Sequence, residues 1–116
     1  MSKRILFFLV LVVILITAYL TLILNSGQPK PVPKSELEIA VNQAKYFYQQ
    51  KKQRGEDFSS APCLSDALMP GWVVDIVHNP RQSIDDLPEN QCPSFVQGRA
   101  KHFVELDTLG NLVRVQ

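Results

Sequence analysis

An excess of one charge sign is the first thing this sequence lacks. Twelve Lys and Arg stand against eleven Asp and Glu, for a net charge of +1, and beyond Lys30 the two signs interleave. With no basic stripe there is no electrostatic footprint for a phosphate backbone, so nucleic acid is not an expected partner. Cysteine and histidine occur twice each. None of the four stands in a C-x-x-C or H-x-x-x-H pair, so Cys63, Cys92, His78 and His102 offer the ligand types of a metal site without its spacing, and no metal or other cofactor is expected. Neither cysteine sits on a glycine-rich elbow beside a base, which leaves a thiol nucleophile paired with His78 or His102 without support. The acidic residues Asp85, Asp86 and Glu89 are interrupted by Leu87-Pro88 and lack the D-x-D-x-D-G order of a calcium loop, so a solvated acidic loop is expected there. No internal repeat and no glycosylation sequon occur. At 116 residues the chain has room for one folded domain and not two.

One absence is local. Ile5 to Leu24 reads ILFFLVLVVILITAYLTLIL, without charge, glycine or proline and with only Thr17 and Thr21 as polar breaks. Twenty helical residues rise roughly 30 Å, the thickness of a bilayer's hydrocarbon core. A small domain has no means of covering such a helix on all sides. Residues 5–24 are therefore expected to span the lipid bilayer. Lys3 and Arg4 precede the run and the next basic residue is Lys30, which predicts a cytoplasmic tail at 1–4 and an extracytoplasmic remainder. The run is longer than a signal-peptide h-region, and Ala18-Tyr19-Leu20 and Leu24-Asn25-Ser26 are poor cleavage sites, so an uncleaved signal-anchor in the cell membrane is expected. The layout of an apolar helix before a small head is similar to that of type IV pilins, but their glycine before the cut and glutamate inside the run are missing.

Residues 25–34, NSGQPKPVPK, place three prolines at alternating positions and read as an extended spacer. A domain is expected over 35–116. Ser35 and Glu38 have the spacing of a capping box. Leu37, Ala40, Val41, Ala44, Phe47 and Tyr48 then form one apolar helical face, with Ile39 and Tyr46 off it as candidate contact residues, and Gly55 is the expected stop. Trp72–His78, bounded by Pro70-Gly71 and Asn79-Pro80, reads as a central strand. His102–Asp107 and Leu112–Gln116 read as a hairpin turning near Gly110-Asn111. The fold class is α+β: one amphipathic helix packed on a short antiparallel sheet. The segment FVELDTLGNLVRV resembles the terminal hairpin of PepSY-type exported domains, and the order of helix then sheet is similar to cystatin-like folds. Neither resemblance extends beyond a supersecondary unit, and neither carries residue roles across.

Cys63 and Cys92 both follow the span, and an exported location implies oxidising conditions. Their disulfide would close a loop of about 30 residues, worth roughly 3–4 kcal/mol in the chain-entropy treatment. Asp75 on the central strand needs a partner if buried, and Arg99, Lys101 or Arg114 are the candidates for an ion pair. The turn-rich stretch from Asn79 to Gly98 is long for a compact domain, and with His78 it supplies the candidate interaction surface: His78, Asn79, Arg81, Asp85, Asp86 and Glu89. The functional expectation is a membrane-anchored extracytoplasmic binding or assembly module with a protein partner at the outer surface. A regulator or inhibitor of an exported protease is the first alternative. A small enzyme drawing on His78, Asp75, His102 and Cys63 is the second.

Overall fold

The computed structural model describes residues 1–27 and 29–116. The chain divides into two compact units, Met1–Pro31 and Val32–Gln116.

The first unit is built on α1, Lys3–Ser26, a helix of 24 residues and so roughly 36 Å long. Its mean hydropathy reaches 3.0, and every residue along it is exposed. The two polar breaks do not interrupt that surface. The Thr17 hydroxyl donates to the Val13 and Ile14 carbonyls at 3.0 and 2.9 Å, and the Thr21 hydroxyl donates to the Thr17 carbonyl at 2.7 Å, so both are satisfied within the helix. The helix is long and apolar enough to cross a membrane. It takes in Asn25 and Ser26, the first residues of the expected spacer, while Gln28 of that spacer lies outside the described residues.

The second unit is the expected α+β domain: α2 (Lys34–Gln53), β1 (Cys63–Met69), β2 (Trp72–Val77), β3 (His102–Asp107) and β4 (Leu112–Val115). The helix starts one residue ahead of the expected cap. The Pro33 carbonyl accepts from the Glu36 and Leu37 amides at 3.0 and 3.2 Å, which closes the first turn and leaves Ser35 inside it. At the other end Gly55 has φ +82. Its amide and that of Glu56 reach the Lys52 and Lys51 carbonyls, the paired bonds of a Schellman stop.

The sheet has the order β1-β2-β3-β4. Its outer pairs are antiparallel, as expected for β3 and β4, but β2 and β3 run parallel, with Trp72 to Val77 aligned residue for residue with His102 to Asp107. The sheet is therefore mixed. The reason is the long connection: a parallel pair needs a crossover, and residues 78–101 provide it. The strand β1 stands where a Ser- and Pro-containing loop is expected before Pro70.

Each sheet face packs against a different layer. Trp72, Val74, Ile76, Val104 and Leu106 meet Ala40, Ala44 and Tyr48 of α2, where the two alanines let the helix backbone come close. The Trp72 indole N–H donates to Glu36 at 2.8 Å. The opposite face offers Val73, Asp75, Val77, Phe103 and Glu105, and the crossover covers it with Cys92 and Ala100. The Cys63–Cys92 disulfide, predicted from the sequence, is present and fastens the crossover to β1.

Candidate functional site

The crossover leaves β2 at His78, and its first half is organised by one buried carboxylate. Asp85 accepts from the His78 amide at 3.0 Å, the Gln82 amide at 2.9 Å and the His78 ring Nδ1 at 2.6 Å. Burial is the largest single influence on its acidity and acts upward, yet those donors together hold the group below its ordinary range. Asp85 is thus a structural pin and not part of a solvated acidic loop, which corrects its place in the expected interaction surface. Asn90 and Gln91 complete the lock by donating to the Ile84 and Asp85 carbonyls. Asn79, Arg81, Asp86 and Glu89 are exposed, and His78 is half-buried.

The second half of the crossover roofs a small cavity of about 130 Å³ over the sheet, lined by Val73, Asp75, Arg81, Gln91, Cys92, Phe95, Phe103, Glu105 and Arg114. Strand register decides which groups meet there. Asp75 on β2 is aligned with Glu105 on β3, and Glu105 with Arg114 on β4, so three charged side chains form a row across the sheet. Glu105 accepts from Arg114 at 3.1 Å and lies 3.5 Å from an Arg81 nitrogen. Arg81 turns its other donors to Asp86, at 2.8 and 3.1 Å. The Arg114 guanidinium also covers the Phe103 ring at 4.7 Å, and Phe95 meets the same ring edge to face.

Asp75 does not form the ion pair expected for it. Arg114 is committed to Glu105, which faces it directly, and Arg99 lends its charge to Asp66. Among the described residues, Asp75 Oδ1 is the one buried side-chain oxygen or nitrogen without a hydrogen-bond partner. Burial, and then the neighbouring Glu105 charge, push this carboxyl up to about 8, so at neutral pH it carries a proton. Glu105 was absent from the sequence-level candidates. Its alternation with Phe103 along the last hairpin was the available signal, since that places it on an inward-facing position.

The metal and thiol alternatives can be set against the same geometry. The cysteine sulfurs lie near Asp66 but are bonded to each other, and Asp66 accepts from the Ser94 amide and hydroxyl at 2.7 and 2.5 Å. His78 is held by Asp85, while His102 stacks on Trp72 at 4.9 Å. The four residues with ligand chemistry are thus distributed among separate structural roles. An oxidised pair also supplies no thiolate for nucleophilic attack.

The arrangement as a whole is a cavity with charged side chains in its wall on an otherwise apolar sheet face, with one carboxyl oxygen that lacks a partner and two guanidiniums at its margin. No family model matches this sequence, and no curated protein or solved structure matches it significantly.

Proposed function

We propose that this protein is a single-pass membrane protein whose 32–116 domain works outside the cytoplasm as a binding or assembly module for a protein partner. The observation that carries the reading is the apolar helix α1, exposed along its whole length, followed in the sequence by a domain that has a complete core of its own. A surface of that kind needs lipid around it. Lys3 and Arg4 before the helix favour a cytoplasmic N-terminus, and the Cys63–Cys92 disulfide suits an oxidising compartment.

The crossover is the docking face in this reading. It carries Leu87, Phe95 and Val96 as exposed apolar side chains beside Arg81 and Asp86, a mixture of apolar anchors and charge that suits a protein surface. The Asp85 lock and the disulfide hold it rigid, which lowers the entropy lost on binding. Ile39 and Tyr46 on the outer side of α2 are exposed as well and form a secondary contact region.

The test uses the full chain in its native membrane. Protease added to right-side-out vesicles should remove the 32–116 domain without lysis. A photoreactive residue at Val96 should capture a discrete partner, and one at the exposed Arg54, beyond the last turn of α2, should not. Protection of the domain until lysis, or identical capture from both positions, would remove the proposal.

A further inference from the structure

When Asp75 is ionised, the charged row at its cavity, taken with Asp86, is one positive group short, and the proton on Asp75 makes up the balance. Two carboxyls line it, Asp75 from β2 and Glu105 from β3, with two guanidiniums, Arg81 from the crossover and Arg114 from β4, and the exposed Asp86, outside the lining, pairs with Arg81. Both guanidiniums are engaged: Arg114 with Glu105, Arg81 with Asp86 and Glu105. Asp85, also on the crossover, adds negative charge from behind its His78 contact. From β1 the residue aligned with Asp75 is Cys63, which is oxidised and carries no charge, and α2 lies on the other face of the sheet.

Asp75 is therefore left with a buried oxygen that no donor reaches at 8 % exposure. An unpartnered polar atom in that position is costly. A Val here would leave no such atom. The position instead holds an ionisable group on the wall of a preformed space.

We propose that this cavity is a receptor for one compact organic monocation, a guanidinium or ammonium group, which docks beside Asp75 and completes the charge balance of the row. The inference rests on reading the domain as a binding module and names the chemistry that its docking face selects.

Size and wall chemistry agree with that occupant. A cavity of about 150 Å³ holds a six-carbon ring, so the 130 Å³ here suits the end of an Arg or Lys side chain, or a free small amine, and excludes a larger head. Phe95 supplies aromatic surface against which a cation is attracted, while the Phe103 ring is already covered by Arg114. Arg81 and Arg114 are each paired with a carboxylate, Glu105 or Asp86, which offsets their repulsion of an entering cation, and the part of the Arg81 charge that still reaches Asp75 lowers affinity without abolishing it. An anion, by contrast, would have to sit against Glu105 and force Asp75 to remain protonated.

Binding has a signature that follows from the same carboxyl. The entering cation takes the place of a proton, so one proton is released for each cation bound. Affinity should rise about tenfold for each pH unit up to about 8 and level off above it. Because the proton sits on Asp75, the release is not mimicked by surface attraction to exposed acids, which are already ionised.

The experiment titrates the full chain in detergent micelles with methylguanidinium, methylammonium, acetamide and acetate at constant ionic strength. Amide resonances of Val73 and Phe103 report occupancy, and calorimetry in buffers of differing ionisation enthalpy counts protons. Methylguanidinium and methylammonium should shift those resonances with one proton released at pH 6.5, and acetamide and acetate should not. In Asp75→Asn the pH slope should vanish and affinity at pH 8 should fall by at least about tenfold. Binding of acetate in preference to the cations would overturn the proposal. So would cation binding that is independent of pH, or unchanged in Asp75→Asn, and so would the absence of any shift in the wild-type chain. If the partner captured at Val96 loses affinity when its Arg and Lys side chains are neutralised, a side chain is the source; if it does not, a free amine is. A captured partner without probe binding would overturn this inference alone, and probe binding without a captured partner would overturn the docking proposal alone.

Discussion

Replacing Asp75 by Asn should change how the domain's stability responds to pH, and the size of the change follows from the buried carboxyl. In the folded domain this group ionises at about 8, against an ordinary value of 3.8. Burial is the main cause, with Glu105 second and Asp85 adding to it, while the Ile76 amide and Arg81 pull the other way. The folded state thus holds a proton that the unfolded chain releases. Stability from this position is intact below about pH 4, declines as pH rises toward 8, and is lost above it. At about 1.4 kcal/mol per pH unit the full span is worth roughly 5–6 kcal/mol, an upper figure that is comparable with the whole stability of many small domains. Asn keeps the shape of the side chain and removes the ionisation. Urea unfolding of the full chain in micelles, followed by near-ultraviolet circular dichroism from pH 4 to 9, should show wild type weakening steadily and Asp75→Asn remaining level, with the variant the more stable of the two at pH 9. Below pH 4 both should weaken together, because Asp85 and Asp107, held low by their hydrogen bonds, then take up protons in the folded state. Parallel curves from pH 4 to 9 would refute the reasoning.

Two further perturbations probe the scaffold. Opening the Cys63–Cys92 bridge, which spans 29 residues, by the double substitution to Ala should lower domain stability by roughly 3–4 kcal/mol; an unchanged urea midpoint would show that the Asp85 lock holds the crossover alone. Gly110→Ala should be costly for its size, since φ there is +87 and a Cβ would come 2.5 Å from the buried Tyr48 ring, whose hydroxyl donates to the Thr108 carbonyl. A loss above about 2 kcal/mol in thermal unfolding is expected, and a loss below a few tenths would count against the packing described for that turn.

The parts of the fold that were legible in the sequence are those whose signals are local. A run of twenty apolar residues, an apolar stripe at helical spacing, a β-branched run between two turn signals and a hairpin with glycine at its tip each announce themselves within a dozen residues. The disulfide was legible from compartment and count. The strand β1 was not, because Cys63-Leu64-Ser65-Asp66-Ala67-Leu68-Met69 has little strand propensity. It is held by β2, with two register irregularities, and by the disulfide. Parallel pairing of β2 with β3 was hidden for a related reason: the strands are adjacent only because the crossover returns the chain to the same side. The candidate site was half visible. His78, Arg81 and Asp85 were singled out, but the sequence could not tell the buried acid of the acidic stretch from the exposed ones. That distinction depends on Asp85 reaching back to two amides and an imidazole. Asp75 was identified as a carboxyl in need of a partner; that Glu105 would take both arginines is a consequence of strand register, which no single segment encodes.

The placement of Trp72 has a practical consequence. It is the chain's one tryptophan, buried at the start of the inner strand β2 with its ring against His102 and its N–H on Glu36. Its intrinsic fluorescence therefore reports on the 32–116 domain and is silent about α1, which carries no indole. The emission of the unlabelled chain follows the folding of the head even while the anchor stays in detergent or lipid, so the two units can be observed separately without cutting them apart.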